Sequence, residues 1–163
     1  MLMPSRQLVW LPDRVVELMK AEAKRSYPVE TGGVVLGYRV EDEWVVREVL
    51  GPGPDARHHR RYFEPDADWH AEMIRAHFAR TDGREVYIGD WHTHPDGELK
   101  LSRRDRQALR GIVQCPQATP APLSALLAGG PDDWALAMWA ARVTSAGWFG
   151  QRVVTTDMIV RPC

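Results

Sequence analysis

The sequence predicts a mixed α/β (α+β) domain, and three observations carry that expectation. Apolar residues recur at helical spacing in three stretches, 13–26, 66–80 and 102–114. Short β-branched or apolar runs lie around them at 29–37, 43–50, 85–91, 123–128, 134–143 and 150–161, bounded by glycine, proline and acidic turns. The 163 residues suit one domain, 1–163, with a hydrophobic core of its own.

The first helix, Asp13 to Ser26, places Val15, Leu18, Met19 and Ala23 on one side, with Pro12 at its start and Pro28 past its end. Thr31-Gly32-Gly33-Val34-Val35-Leu36-Gly37 reads as a buried strand with Glu30 just before it. Glu43 to Leu50 pairs with it as a hairpin around Glu41 and Asp42, and Gly51-Pro52-Gly53-Pro54 ends the unit. Arg57 to Arg61 is a basic run that reads as a solvated loop, or as a contact surface for an acidic partner. Asp66 or Asp68 caps a helix to about Arg80, with Trp69, Met73, Ile74 and Ala76 on its apolar side and His70 and His77 as ordinary helical residues. Three prolines mark 116–122 as a loop; two strands around Gly129-Gly130-Pro131-Asp132 and one last strand over 150–161 complete the chain.

Net charge is −1 with both signs dispersed, so no global electrostatic signal favours nucleic acid or an acidic membrane. The N-terminal residues lack the apolar core of a signal peptide, and no stretch reaches the roughly 18 apolar residues of a span, so a cytoplasmic protein is expected. Cys115 and Cys163 are too few for a disulfide framework or a thiolate metal site.

The chemistry gathers at Tyr87 to Arg110. His92 and His94 end an apolar run, and side chains on a strand alternate faces, so the two imidazoles point the same way and Thr93 the other. Pro95 and Gly97 break the strand, and Asp105 then follows in the first turn of a helix. Two imidazoles and a carboxylate suit a catalytic zinc ion, which keeps a fourth position for water and brings that water's pKa toward neutrality. Ser102-Arg-Arg-Asp105 also reads as a capping box. A carboxylate base is needed as well, and Glu30, Asp90, Asp96 and Glu98 are all candidates by spacing.

Glu30 before Gly32-Gly33-Val34-Val35-Leu36-Gly37, then His92-Thr93-His94-Pro95, seven intervening residues, Ser102, two more, and Asp105 resemble the JAMM motif of MPN-domain (JAB-type) zinc metallopeptidases. The wording Tyr-Ile-Gly-Asp-Trp-His-Thr-His-Pro is similar to bacterial deconjugating members encoded in antiphage operons, beside cGAS-like nucleotidyltransferases or ubiquitin-like conjugation genes. The resemblance implies a cytidine-deaminase-like fold, a central mixed sheet flanked by helices. It implies one Zn2+ per chain on His92, His94 and Asp105, Glu30 as general acid/base and Ser102 as donor to the oxyanion. Asp90 and Thr93 become candidates to orient the ligating histidines, and the glycines after Glu30 let backbone pass close to the site.

The implied activity is cleavage after the C-terminus of a ubiquitin-like or conjugated protein. Its substrate carries a flexible tail joined to lysine or to an extension, and E1/E2-like proteins or a cGAS-like nucleotidyltransferase are its partners. Residues 57–68 and 116–122 then flank the cleft. Two alternatives are a catalytically inactive MPN interaction module and a nucleic-acid-associated RadC-like JAMM protein, from whose wording Thr93 and Asp96 depart.

Overall fold

A computed structural model describes residues 7–115, 119–145, 148 and 150–163. In chain order the elements are β1 (Leu8–Leu11), α1 (Asp13–Ser26), β2 (Gly32–Val40), β3 (Glu43–Leu50), β4 (Arg57–His58), β5 (Phe63–Glu64) and α2 (Ala67–Arg80). They continue with β6 (Val86–Pro95), α3 (Arg103–Gln114), β7 (Leu123–Gly129), β8 (Trp134–Ser145), β9 (Gln151–Asp157) and β10 (Ile159–Pro162). Eight strands form one mixed sheet in the order β10-β1-β3-β2-β6-β7-β8-β9, and β4 and β5 form a small hairpin beside it. The expected fold class is the one observed.

Helix α1 matches its expected limits, and β2 pairs antiparallel with β3 as the predicted hairpin. Leu18, however, is about half exposed, and the buried stripe of α1 instead runs Val15, Met19, Glu22 and Ala23. Asp66, not Asp68, caps α2, its carboxylate accepting from Trp69 N–H at 3.1 Å. The buried positions of α2 are His70 and His77, while Ala76 is exposed. Each imidazole is satisfied: His70 Nε2 donates to the Gly51 carbonyl at 2.7 Å, and His77 Nε2 meets Glu85 at 2.6 Å. A buried imidazole with such a partner is tolerated where an unpaired one is costly.

The ends of the chain differ most from expectation. Residues 8–11 add a strand whose four residues are too short a run to stand out, and it pairs parallel with both β3 and β10. The expected last strand breaks at Met158, with β9 on one edge of the sheet and β10 on the other. Neighbouring Cα atoms are about 3.8 Å apart, so this one-residue link draws the two edges together and curls the sheet. The basic run is also more ordered than a loop, since Arg57–His58 and Phe63–Glu64 pair with each other.

The main core packs α1 against the sheet through Val9, Val15, Met19, Trp44 and Trp91; Leu101, Leu109 and Ala141 form a smaller core beneath α3. Cys115 and Cys163 are exposed and unpaired. No helix among the described residues is long and apolar enough to cross a membrane.

One buried polar network spans the α1 side of the sheet. Glu22 Oε1 accepts from Ser26 Oγ and Thr31 Oγ1, each at 2.9 Å. Thr31 N–H donates to Thr93 Oγ1 and Thr93 N–H to the Thr31 carbonyl, both at 3.0 Å. Thr31 follows Glu30 and Thr93 separates the two histidines, so these bonds fix one functional segment against the other. Thr93→Val keeps the shape but leaves the buried Thr31 N–H without its acceptor. It should lower stability by about 1–3 kcal/mol, read as a lower urea midpoint with an unchanged slope; an unchanged midpoint would show that the stitch contributes nothing.

Candidate active site

Strand β6 lies between β2 and β7, with His92 opposite Gly32 on one side and Leu126 on the other. A Cβ on Gly32 would overlap the Trp91 carbonyl oxygen, so only glycine lets β2 approach β6 at this level. The alternation of β6 sends Thr93 toward α1 and turns His92 and His94 toward α3. Beyond Pro95 the chain reverses at Asp96, which has φ of 55° and is held by Tyr27 Oη donating to its Oδ2 at 2.7 Å. Asp96 N–H donates to the Gly129 carbonyl at 2.8 Å, which anchors this turn to the end of β7.

The turn delivers the start of α3 to the histidines. Asp105 Oδ1 lies 3.2 Å from His92 Nε2, its Oδ2 lies 3.1 Å from His94 Nε2, and the two Nε2 atoms are 3.2 Å apart. The predicted capping box is present too: Ser102 Oγ accepts from Asp105 N–H at 3.1 Å, and Asp105 Oδ2 accepts from Ser102 N–H at 2.7 Å. Capping and ligation are therefore compatible, because the carboxylate turns Oδ1 to His92 while Oδ2 serves both His94 and the cap. Ser102 uses only a lone pair in the cap, leaving its hydroxyl proton free.

The chemistry of this cluster tests whether it fits a metal. The Glu98 carbonyl, 3.1 Å from His94 Nδ1, can only accept, so Nδ1 carries the hydrogen and Nε2 of the neutral ring presents a lone pair. That lone pair faces another imidazole nitrogen and a carboxylate, a grouping held together either by a proton on a ring nitrogen or by a metal ion that replaces it. Burial pulls the pKa of His94 down, but bonds to Asp105 and the Glu98 carbonyl outweigh it and raise it. Burial would lift Asp105, and bonds from His92 and His94 instead hold it well below the usual carboxylate range. Two imidazoles and one carboxylate, their donor atoms within 4.8 Å of one another, fit a divalent ion with an open position.

The four candidate bases separate by their partners. Asp96 is bound by Tyr27, Glu98 pairs with Lys100 and is exposed, and Asp90 Oδ2 accepts from Tyr87 Oη at 3.1 Å. Glu30 shares the cleft wall with His92 and Asp105, and no side chain among the described residues bonds its carboxylate. The β4–β5 hairpin clasps its backbone: Glu30 N–H donates to the His59 carbonyl at 2.8 Å, and His58 Nδ1 donates to the Glu30 carbonyl at 2.9 Å. Burial raises the Glu30 pKa to about 7, opposed by His94 and Arg104 and reinforced by Asp105.

Asp90 and Thr93, the candidates to orient the histidines, have other partners among the described residues. Thr93 faces α1, Asp90 is engaged with Tyr87, and the partner of His94 Nδ1 is a backbone carbonyl. Burial lifts Asp90 to about 6 against the opposing bond from Tyr87. Sequence reasoning gave no role to Thr31, Arg104 or the clasp at His58 and His59. Backbone partners and cross-element contacts leave no spacing signature, although the basic run was a visible cue to the hairpin. Residues 61–63 and Pro65 of the expected flank line the cleft; of 116–122, residues 116–118 lie outside the described residues and 119–122 are not on its wall.

Comparison with known proteins agrees with this geometry. A family model described as prokaryotic homologs of the JAB domain matches residues 12–142. A Sinorhizobium fredii protein named probable metalloprotease y4qB is 38% identical over 154 residues, covering 92% of this chain and 93% of the relative. Proteins named CD-NTase/cGAS isopeptidase are 30% identical in Escherichia coli, over 80% of this chain and 81% of theirs, and 28% identical in Vibrio cholerae, over 74% of each. The solution structure of a Desulfitobacterium hafniense protein superposes with a TM-score of 0.64 at 18% identity, over 96% of this chain and 94% of that one, a likeness of fold.

The raised pKa of Glu30 makes a signed stability prediction. Between the ordinary value of 4.5 and about 7, the unfolded chain has released this proton while the folded, metal-free chain retains it, so stability falls as pH rises through that window. Glu30→Gln removes the effect. In chelator-treated protein the variant should exceed the parent by about 1–2 kcal/mol at pH 8, after discounting for partial exposure, and match it near pH 4. Urea unfolding at both pH values checks this, and an equal gap at both would contradict it.

Proposed function

Because this chain belongs to the prokaryotic JAB-domain family, with relatives named metalloprotease and isopeptidase, we propose that it is a zinc-dependent isopeptidase or peptidase. It cuts after the C-terminus of a ubiquitin-like or otherwise conjugated protein. The observation that carries this reading is the convergence of two imidazole nitrogens and a carboxylate beside Glu30, in one cleft. The names of the Escherichia coli and Vibrio cholerae relatives support a conjugate of a cGAS-like nucleotidyltransferase as the substrate, and the motif resemblance implies E1/E2-like conjugation proteins as functional partners.

His92 Nε2, His94 Nε2 and Asp105 would hold one zinc ion per chain. When bound, the ion acidifies water and polarises the scissile carbonyl. Glu30 takes a proton from the attacking water and delivers it to the lysine or α-amino nitrogen as the carbon–nitrogen bond breaks, leaving a carboxylate and an amine. Its raised pKa suits a group that must both accept and return a proton near neutrality. Ser102 donates its free hydroxyl proton to the negative charge that develops on the substrate carbonyl oxygen. The substrate tail reaches these groups extended, between α3 and the β4–β5 hairpin.

Glu30→Gln should bind one zinc per chain yet lose cleavage of a conjugate by about 10²–10⁴-fold, measured by metal analysis beside a gel assay of the zinc-loaded protein. Full activity in that variant would remove Glu30 from the mechanism. Ser102→Ala should lower kcat by about 10²-fold or more, with zinc content unchanged; an unaltered kcat would leave Ser102 as a helix cap alone.

A further inference from the structure

The buried stripe of α1 is apolar at Val15, Met19 and Ala23, and Glu22 interrupts it with a carboxylate whose side chain is only 9% exposed. Its Oε2 meets the exposed guanidinium of Arg25. Its Oε1 faces inward and accepts from Ser26 Oγ in the same helix and from Thr31 Oγ1 beyond the helix end. An apolar side chain of similar volume at such a position is often neutral or stabilising, because a buried carboxylate has to be desolvated, and an ion pair with so exposed a partner returns little. Stability alone therefore gives no reason for an acid here. What the acid adds is a fixed direction for the Thr31 hydroxyl.

Thr31 is fully buried and stands just ahead of β2, between Glu30 and two glycines seated where a Cβ would overlap neighbouring backbone. Those glycines bring no side chain that could hold the segment. From the cleft side the β4–β5 hairpin clasps the Glu30 backbone. From the α1 side the Thr31 N–H and carbonyl engage Thr93, the residue between His92 and His94. The orientation of Thr31 thus governs where Glu30 stands relative to both imidazoles, and Glu22 is the side chain that accepts from its hydroxyl.

Resting on the peptidase reading, we infer that Glu22 is a positioning residue for the active site: through Thr31 Oγ1 it holds the Thr31–Thr93 stitch in register, and so sets Glu30 against the imidazoles of His92 and His94. The role belongs to the acceptor oxygen rather than to the charge. Glutamine keeps an Oε1 acceptor for both hydroxyls and gives up only the contact with Arg25, whereas leucine fills the volume and leaves the Thr31 hydroxyl without its acceptor.

The test compares full-length Glu22→Leu, Glu22→Gln, Thr31→Val and the Glu22→Leu/Thr31→Val double variant. Zinc Kd is read by competition with a chromophoric chelator, cleavage by steady-state kinetics on a conjugate, and stability by urea unfolding. Glu22→Leu and Thr31→Val should each raise the zinc Kd of the folded chain about 10-fold and lower kcat with KM unchanged, because the cleft wall is untouched. The double variant should bind zinc no more weakly than the weaker single variant, since both changes break the same bond. Glu22→Gln should keep the parental zinc Kd and kcat. A structural role alone would lower the urea midpoints and leave zinc Kd and kcat at parental values, which would overturn the inference, as would additive losses in the double variant, a raised KM at constant kcat, or a Glu22→Gln as impaired as Glu22→Leu. Should Glu22→Leu fail to fold, Thr31→Val set against Glu22→Gln gives the same decision.

Zinc affinity also separates this proposal from the reading beneath it. Weakened zinc binding in Glu22→Leu and Thr31→Val, with no conjugate cleaved by the parent, would refute the peptidase reading and uphold the positioning role. Cleavage by the parent, with zinc Kd and kcat unchanged in both variants, would do the reverse.

Discussion

The pairing of β2 with β6 is the constraint on which the site depends. It sets Gly32 against His92 and Thr31 against Thr93, so a carboxylate from the start of one strand reaches the cleft walled by histidines from the end of the other. The approach needs a residue without a side chain at Gly32 and a satisfied backbone at Thr31. Buried, unpaired peptide groups there would cost more than the packing returns. The two faces of β6 then divide the labour: Thr93 bonds inward to the core side, and His92 and His94 are left for chemistry.

A second constraint is the placement of α3. Its first turn must satisfy its own backbone donors and also present a carboxylate to two imidazoles, and Asp105 meets both demands because its oxygens address different partners. Leu101 and Leu109 seat the helix in the small core under Ala141. The same helix supplies one bank of the cleft, and the hairpin that clasps Glu30 supplies the other. The metal-fitting cluster and the cleft beside it thus share their supporting elements, and a change in either bank acts on both.

Much of the helical and central-strand framework was legible in the chain. The period of α1, the β-branched run after Gly33 and the Gly-Pro turn after Leu50 are local signals, decided by steric fit and by which face is apolar. Elements that depend on distant partners were not. Leu8–Leu11 is a strand because β3 and β10 flank it, and the break at Met158 exists because two sheet edges meet there. His70 and His77 took the buried face of α2 because acceptors at Gly51 and Glu85 were waiting, which the helix's own periodicity does not disclose.

The sequence by itself determined the types of the candidate ligands. A His-x-His on a strand and an aspartate in the next first turn put two imidazoles and a carboxylate within reach of one ion, since strand alternation and helix caps are short-range properties. It left four carboxylates in contention for the base, and family resemblance alone singled out Glu30. The tertiary structure distinguished them physically: Asp96, Glu98 and Asp90 each have another bonding partner, while Glu30 is held by its backbone with its carboxylate in the cleft. It also decided what stands beside the triad. A cleft between a hairpin and a helix arises only when long-range packing brings them together, and no local pattern of residues specifies that.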